Sequence, residues 1–341
     1  MARILASSTS APSTFLGRQF ISRRSLGGFT IFFILLLIPP LAQAAGQPFY
    51  IHLFTRIMVF GIAVIGLDLI LGYGGMVSLG HAAFIGIGAY IVGILSYQAD
   101  NHALLFGLIP GSYNAFLVWP LAVGLCAIVS ACIGVISLRT RGIYFIMITI
   151  AFGEMFYYLF FSSQTYGSTD GLQISQPSWP VDHLSSIGFY YLVYISLALI
   201  TILLLRLVES RFGMVLRGNK QNERRMQSIG YPLFRYKLVA LTIAGAITGY
   251  AGVLLANEET FVAPTYMSFA SSAELLIMLA LGGTGTIFGG IVGSAFYILV
   301  QFYLGNWTIH WPVIFGPFFV AMVLLVRRGA FSLLFGEDAG E

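Results

Sequence analysis

Of the seventeen Lys and Arg residues in this chain, sixteen fall in segments that a single topology puts on one side of a membrane. The chain is a run of apolar stretches, and the gaps between them alternate in charge. The basic gaps are residues 1–28 (Arg3, Arg18, Arg23, Arg24), 138–142 (Arg139, Arg141), 206–237 with eight cations, and the tail from Arg327. The intervening gaps hold no cation and carry Asp100, Asp170, Asp182, Glu258 and Glu259. The seventeenth cation, Arg56, lies inside an apolar span. Cytoplasmic loops retain Lys and Arg, so this alternation sets orientation as well as the number of crossings. The expected fold is all-α: a polytopic bundle of about ten transmembrane helices in an inner (plasma) membrane, with both termini cytoplasmic.

Composition agrees. With 58% hydrophobic residues, 9% charged and a mean hydropathy of +0.88, a soluble domain is excluded. The net charge of +4 resides beside helix ends, where it reports orientation and calls for no nucleic-acid partner. Cys126 and Cys132, six residues apart in one span, fall on different helix faces and make no disulfide or metal pair.

A crossing needs about 20 apolar residues. Helices are expected at 29–45, 50–71, 76–97, 116–138, 143–161, 187–207, 238–256, 266–281, 286–303 and 311–326, the eighth short enough to be re-entrant or broken. The organisation is then a basic N-terminal tail (1–28), a transmembrane domain (29–328) with a long cytoplasmic loop (209–237), and a C-terminal tail (329–341). Arg23-Arg24, the apolar run and Ala42-Gln43-Ala44 also resemble a twin-arginine signal peptide, but a first transmembrane helix accounts for the same residues.

Two turns, Gly72-Tyr73-Gly74-Gly75 and Gly282-Gly283-Thr284-Gly285, each follow a helix with a single acid (Asp68 or Glu274) and precede small residues. They suggest a parallel internal repeat, with chance similarity as the alternative. Ser78/Ala82/Gly86, Gly285/Gly289/Gly293 and Ala244/Thr248/Gly252/Ala256 form small-residue ridges, which in lipid serve close helix packing or line a path.

No catalytic cluster is visible. The two lysines, Lys220 and Lys237, follow no glycine-rich loop, so nucleotide hydrolysis belongs to another chain. His52, His81, His102, His183 and His310 lack ligand spacing, and no metal or cofactor is expected. Asp68, Glu154 and Glu274 lie within spans, where a charge costs about 2.5–3.5 kcal/mol on insertion scales and must face protein or water. With Ser78 and His81 they are the candidates for a translocation path; the plainer alternative is inter-helix polar contact. In the long loop, Asn219 is expected to cap a charged helix over 220–229 that stops at Gly230-Tyr231-Pro232. A helix so polar suits docking on a soluble partner, or else lies against anionic lipid headgroups.

The run Gly72-Tyr73-Gly74-Gly75-Met76-Val77-Ser78-Leu79-Gly80-His81-Ala82-Ala83-Phe84 resembles the signature of branched-chain amino acid ABC transporter permeases of the LivM type. Leu138-Arg139-Thr140-Arg141-Gly142-Ile143-Tyr144-Phe145 and Gly282-Gly283-Thr284-Gly285-Thr286 continue the likeness, which covers residues 46–329. Residues 215–255 are similar to the family's coupling loop, with Asn222, Glu223, Arg224, Arg225, Met226 and Gly230 as the matching ATPase-coupling positions. The family usually has Asn where Asp68 stands. The resemblance implies a transport subunit with no enzyme activity. It implies as partners a second permease of the LivH type, two cytoplasmic ATPases, a periplasmic substrate-binding protein and membrane lipid, with Leu, Ile or Val as substrate. Urea or a short amide is the alternative substrate, and a proton-coupled transporter using Asp68, Glu154 or Glu274 the alternative mechanism.

Overall fold

The computed structural model describes residues 23–101, 104–105, 109–308 and 310–325. Residues 1–22 and 326–341, which hold most of the expected N-terminal tail (1–28) and all of the C-terminal tail (329–341), lie outside the described residues, as does His102; residues 23–28 of the expected N-terminal tail are instead the first residues of α1. Twelve α-helices run in chain order: α1 (Arg23–Ala44), α2 (Phe49–Asp68), α3 (Ala82–Asp100), α4 (Ala115–Ser137), α5 (Ile143–Phe161), α6 (Ser186–Glu209), α7 (Arg211–Gln221), α8 (Glu223–Ser228), α9 (Leu233–Glu259), α10 (Phe269–Gly282), α11 (Ile287–Trp307) and α12 (Trp311–Leu325). Among the described residues eight are long and apolar enough to cross a membrane, namely α1 to α6, α9 and α11. Two shorter apolar helices, α10 and α12, bring the membrane set to the expected polytopic all-α bundle. The 14 residues of α10 rise about 21 Å against a hydrocarbon core of about 30 Å. A 3₁₀ turn, Pro264–Met267, precedes it.

The core forms around α2, which is buried along nearly its whole length by α6, α9, α10 and α11. α5 is the least covered of the long helices, and α4 and α6 also turn wide apolar faces outward, as lipid-facing helices do. Without a hydrophobic force between helices, contact depends on small residues. A Cβ on Gly88 would lie 2.1 Å from the Gly249 carbonyl oxygen, so α3 and α9 meet backbone to backbone there. Cys126 is buried against this junction and Cys132 is exposed, on different faces of α4 as expected.

Charged ends sort to two opposite ends of the bundle. At one, Arg56 in the second turn of α2 pairs with Glu259 at 3.4 Å, and His52 contacts Glu258 at 2.8 Å, joining the start of α2 to the end of α9. The lone intramembrane cation is therefore close to a helix end and paired. At the other, Arg141 of the α4–α5 loop lies 3.5 Å from Glu223 of α8.

Two expected boundaries are corrected. The third helix starts at Ala82 instead of 76, because residues 75–80 run non-helically against α5: Gly80 lies so close that a Cβ would be 1.9 Å from the Thr149 carbonyl oxygen. The loop helix expected over 220–229 is two helices. Ser210 caps α7, accepting from the Phe212 N–H at 3.2 Å, and Asn222 caps α8, accepting from the Arg225 N–H at 3.0 Å. Asn219 is no cap, because it lies inside α7, where its Nδ2 donates to the Gly74 carbonyl at 3.3 Å.

Candidate functional site

Two regions carry the chemistry. The first is the polar segment α7–α8. Phe212, Val215, Leu216 and Asn219 recur at helical spacing and turn one face of α7 onto the bundle. After the break at Asn222, α8 is mostly exposed. Arg224 and Arg225 point outward, whereas Met226 tucks against Gly218. Glu223 is its tether: the carboxylate accepts from Lys237 of α9 at 3.0 Å and pairs with Arg141. Gly230 ends α8 with φ of +95°, a conformation that favours glycine at a helix C-terminus. Of the six positions expected from the resemblance, Arg224 and Arg225 are exposed, while Glu223, Met226, Asn222 and Gly230 shape and hold the helix.

The second region lies inside the bundle, where the segment 76–81 enters. Ser78 is buried in it, and His81 is fully buried at the start of α3. His81 Nε2 and the Thr248 hydroxyl of α9 are 2.8 Å apart, while Nδ1 is buried without a hydrogen-bond partner. The Leu79 N–H donates to the Thr149 hydroxyl at 3.3 Å, and the Ala82 N–H to the Ser272 hydroxyl at 3.2 Å. On α5, Gly153 packs on Gly80, and the neighbouring Glu154 accepts from the Phe269 N–H at 3.0 Å, at the first residue of α10. A carboxylate at a helix N-terminus is favourably placed in the helix dipole. Ser78, His81 and Glu154 therefore belong to one junction of α3, α5 and α10. At the far end of α3, away from this junction, burial and a hydrogen bond to Asp100 push the Tyr113 hydroxyl up to about 12.

Asp68 and Glu274 are not part of that junction. Asp68 is buried at the end of α2, with Oδ1 accepting from the Gly285 N–H at 2.7 Å. Glu274 is half-buried and bonds the Tyr297 hydroxyl of α11. Sequence reasoning missed Thr149 and Ser272, ordinary hydroxyls with no pattern to mark them, and placed Thr248 only in a small-residue ridge. It also missed Lys220, one of only two lysines in the chain.

A family model described as the branched-chain amino acid transport system permease component matches residues 49–327, from the first residue of α2 to just beyond α12. The chain belongs to this permease family. Among its relatives, the high-affinity branched-chain amino acid transport system permease protein LivM of Escherichia coli (strain K12) is 26% identical over 336 residues, covering 89% of this chain and 76% of that protein. LivM of Salmonella typhimurium (strain LT2) is 27% identical with the same coverage. The autoinducer 2 import system permease protein LsrC of Photorhabdus laumondii is 27% identical over 229 residues, 65% of this chain and 61% of that protein. No solved structure matches. This permease is a multi-pass membrane protein, and among the described residues α1 is the one long apolar helix outside the family match.

Proposed function

We propose that this permease is one of two membrane subunits of an ATP-driven importer for Leu, Ile and Val in a bacterial inner membrane. Its partners are a related permease of the LivH type, two cytoplasmic ATPases beneath α7–α8, and a periplasmic protein that delivers substrate. Ten crossings place both termini in the cytoplasm. The observation that carries this reading is α8 itself: a short helix projecting at the cation-rich end of the bundle, two arginines turned outward, its base tied by Glu223 to Lys237 and Arg141. Closure of the ATPases against it moves the helices rigidly and alternates access. The path passes the junction of Ser78, His81 and Glu154, which offers polar groups for the ends of an amino acid beside glycine-lined apolar faces.

Reconstitution with the cognate ATPases and binding protein tests this. Leucine uptake is expected only with ATP on the ATPase side. Arg224→Glu with Arg225→Glu is expected to lower uptake about tenfold or more, as loss of buried charged contacts does at interfaces, with the permease still inserted. Normal transport by the double variant removes the docking role. Uptake driven by a pH gradient without ATPases replaces the mechanism, and urea uptake without leucine uptake replaces the substrate.

A further inference from the structure

Lys220 is not needed for docking by Arg224 and Arg225, yet it ties the docking segment directly to the membrane helices. After α2 the chain makes a π-helical turn, Leu69–Tyr73, of the kind often found at functional sites. The last carbonyls of a helix lack intrahelical partners and carry partial negative charge. Here two consecutive residues of α7 take them: Lys220 Nζ donates to the Gly72 carbonyl at 2.6 Å and the Asn219 amide to that of Gly74. The lysine stem lies along Gly75, where a Cβ would come 3.0 Å from its Cγ. Beneath, Asp68 holds the second glycine turn, its Oδ1 accepting from the Gly285 N–H at 2.7 Å. One polar chain thus runs from α7 through the end of α2 to the α10–α11 turn.

We propose that Lys220 is a positioning residue of the transport cycle: it keeps the inner end of α2 fastened to α7, so that displacement of α7–α8 moves α2 and the α10–α11 turn together. This rests on the reading of α7–α8 as the ATPase docking segment. α2 packs on α6, α9, α10 and α11, so a pull at its end reaches most of the bundle. The link is a physical contact between two elements that must move as one, not a pathway inferred from distance.

The test uses the complete transporter in proteoliposomes and reads substrate moved per ATP hydrolysed. Lys220→Met keeps the stem and removes the ammonium; it is expected to lower that ratio about tenfold, the fold-change of one charge-assisted hydrogen bond, while ATP hydrolysis and assembly persist. Lys220→Arg is expected to restore most of it, which a loss of packing would not explain. A Lys220→Met ratio equal to the native one overturns the proposal. A second pair of substitutions decides even if that variant fails to assemble. The Cβ of Lys220 lies 3.4 Å from a Cβ built on Gly75, close to disulfide spacing. Gly75→Cys with Lys220→Cys is expected to be uncoupled when reduced and recoupled when oxidised. The same ratio in both states overturns the proposal. Normal transport by the Arg224→Glu, Arg225→Glu pair instead overturns the docking reading on which it rests.

Discussion

The two glycine turns look alike along the chain and touch in space, yet they do different work. The first, after α2, opens into the non-helical segment 75–80; its carbonyls are held by α7, and its acid, Asp68, is buried and bound to the other turn. The second closes directly into α11. Its glycines serve backbone contact between α10 and α11, and its acid, Glu274, is half-buried toward Tyr297. Local pattern decides that a turn forms. What packs on the turn decides whether it is a joint between segments or a seam between helices. The two halves do not repeat each other at this point.

The contrast breaks first on glycine itself. A Cβ on Gly293 would lie 1.9 Å from the Met278 carbonyl oxygen, a backbone atom that cannot move without separating α10 from α11. Gly293→Val is expected to cost about 3 kcal/mol. At Gly75 the neighbour is the flexible Lys220 stem, so Gly75→Ala carries mainly the strain of its φ of +70°, about 1 kcal/mol. Thermal unfolding of the detergent-solubilised permease measures both. Equal losses would mean that the first turn is as rigid a seam as the second.

The acids sharpen it further. Asp68→Ala leaves the Gly285 N–H unpaired inside the bundle and is expected to cost about 1–3 kcal/mol. Asp68→Asn is expected to be nearly silent, because an amide oxygen still accepts that bond. Glu274→Ala gives up its bond to Tyr297 but also removes a partly desolvated charge from the membrane, and about 1 kcal/mol or less is expected. A Glu274→Ala loss as large as that of Asp68→Ala would make the two acids equivalent, as their sequence settings suggest.

Much of this architecture was legible because lipid imposes long apolar runs and charge asymmetry, both one-dimensional signals. The basic segment around Arg141 and the loop bearing Glu223 do meet at one end, and Glu258 and Glu259 lie at the other. The start of α3 was not legible, since residues 76–81 are apolar enough to read as helix and only the tertiary fit of Gly80 on α5 draws them out. α7 was legible and missed: the spacing of Phe212, Val215, Leu216 and Asn219 marks a helix face, but the loop helix was expected over 220–229 with Asn219 as its cap. At the interior junction the sequence offered Ser78, His81 and Glu154. Their partners Thr149, Thr248 and Ser272 come from chain-distant helices whose register no local pattern states.

The smallest expected effect concerns how each turn is held. The segment after the first turn depends on a hydroxyl from another helix: the Leu79 N–H donates to Thr149 Oγ1 at 3.3 Å, while that hydroxyl donates to the Ile146 carbonyl at 2.8 Å within its own helix. After the second turn Thr286 donates to the Gly283 carbonyl at 2.8 Å, within the turn itself. Valine matches threonine in shape and lacks the hydroxyl, so each substitution removes about 1 kcal/mol or less of net hydrogen bonding. Where the loss is felt should differ. Thr149→Val frees the 76–80 backbone from α5, and amide exchange there is expected to speed up by several-fold, with the peptide over 283–286 unchanged. Thr286→Val should act only on 283–286. If exchange rises at both turns in either variant, the turns open as one unit through the Asp68–Gly285 bond, and joint and seam cannot be treated as separate devices.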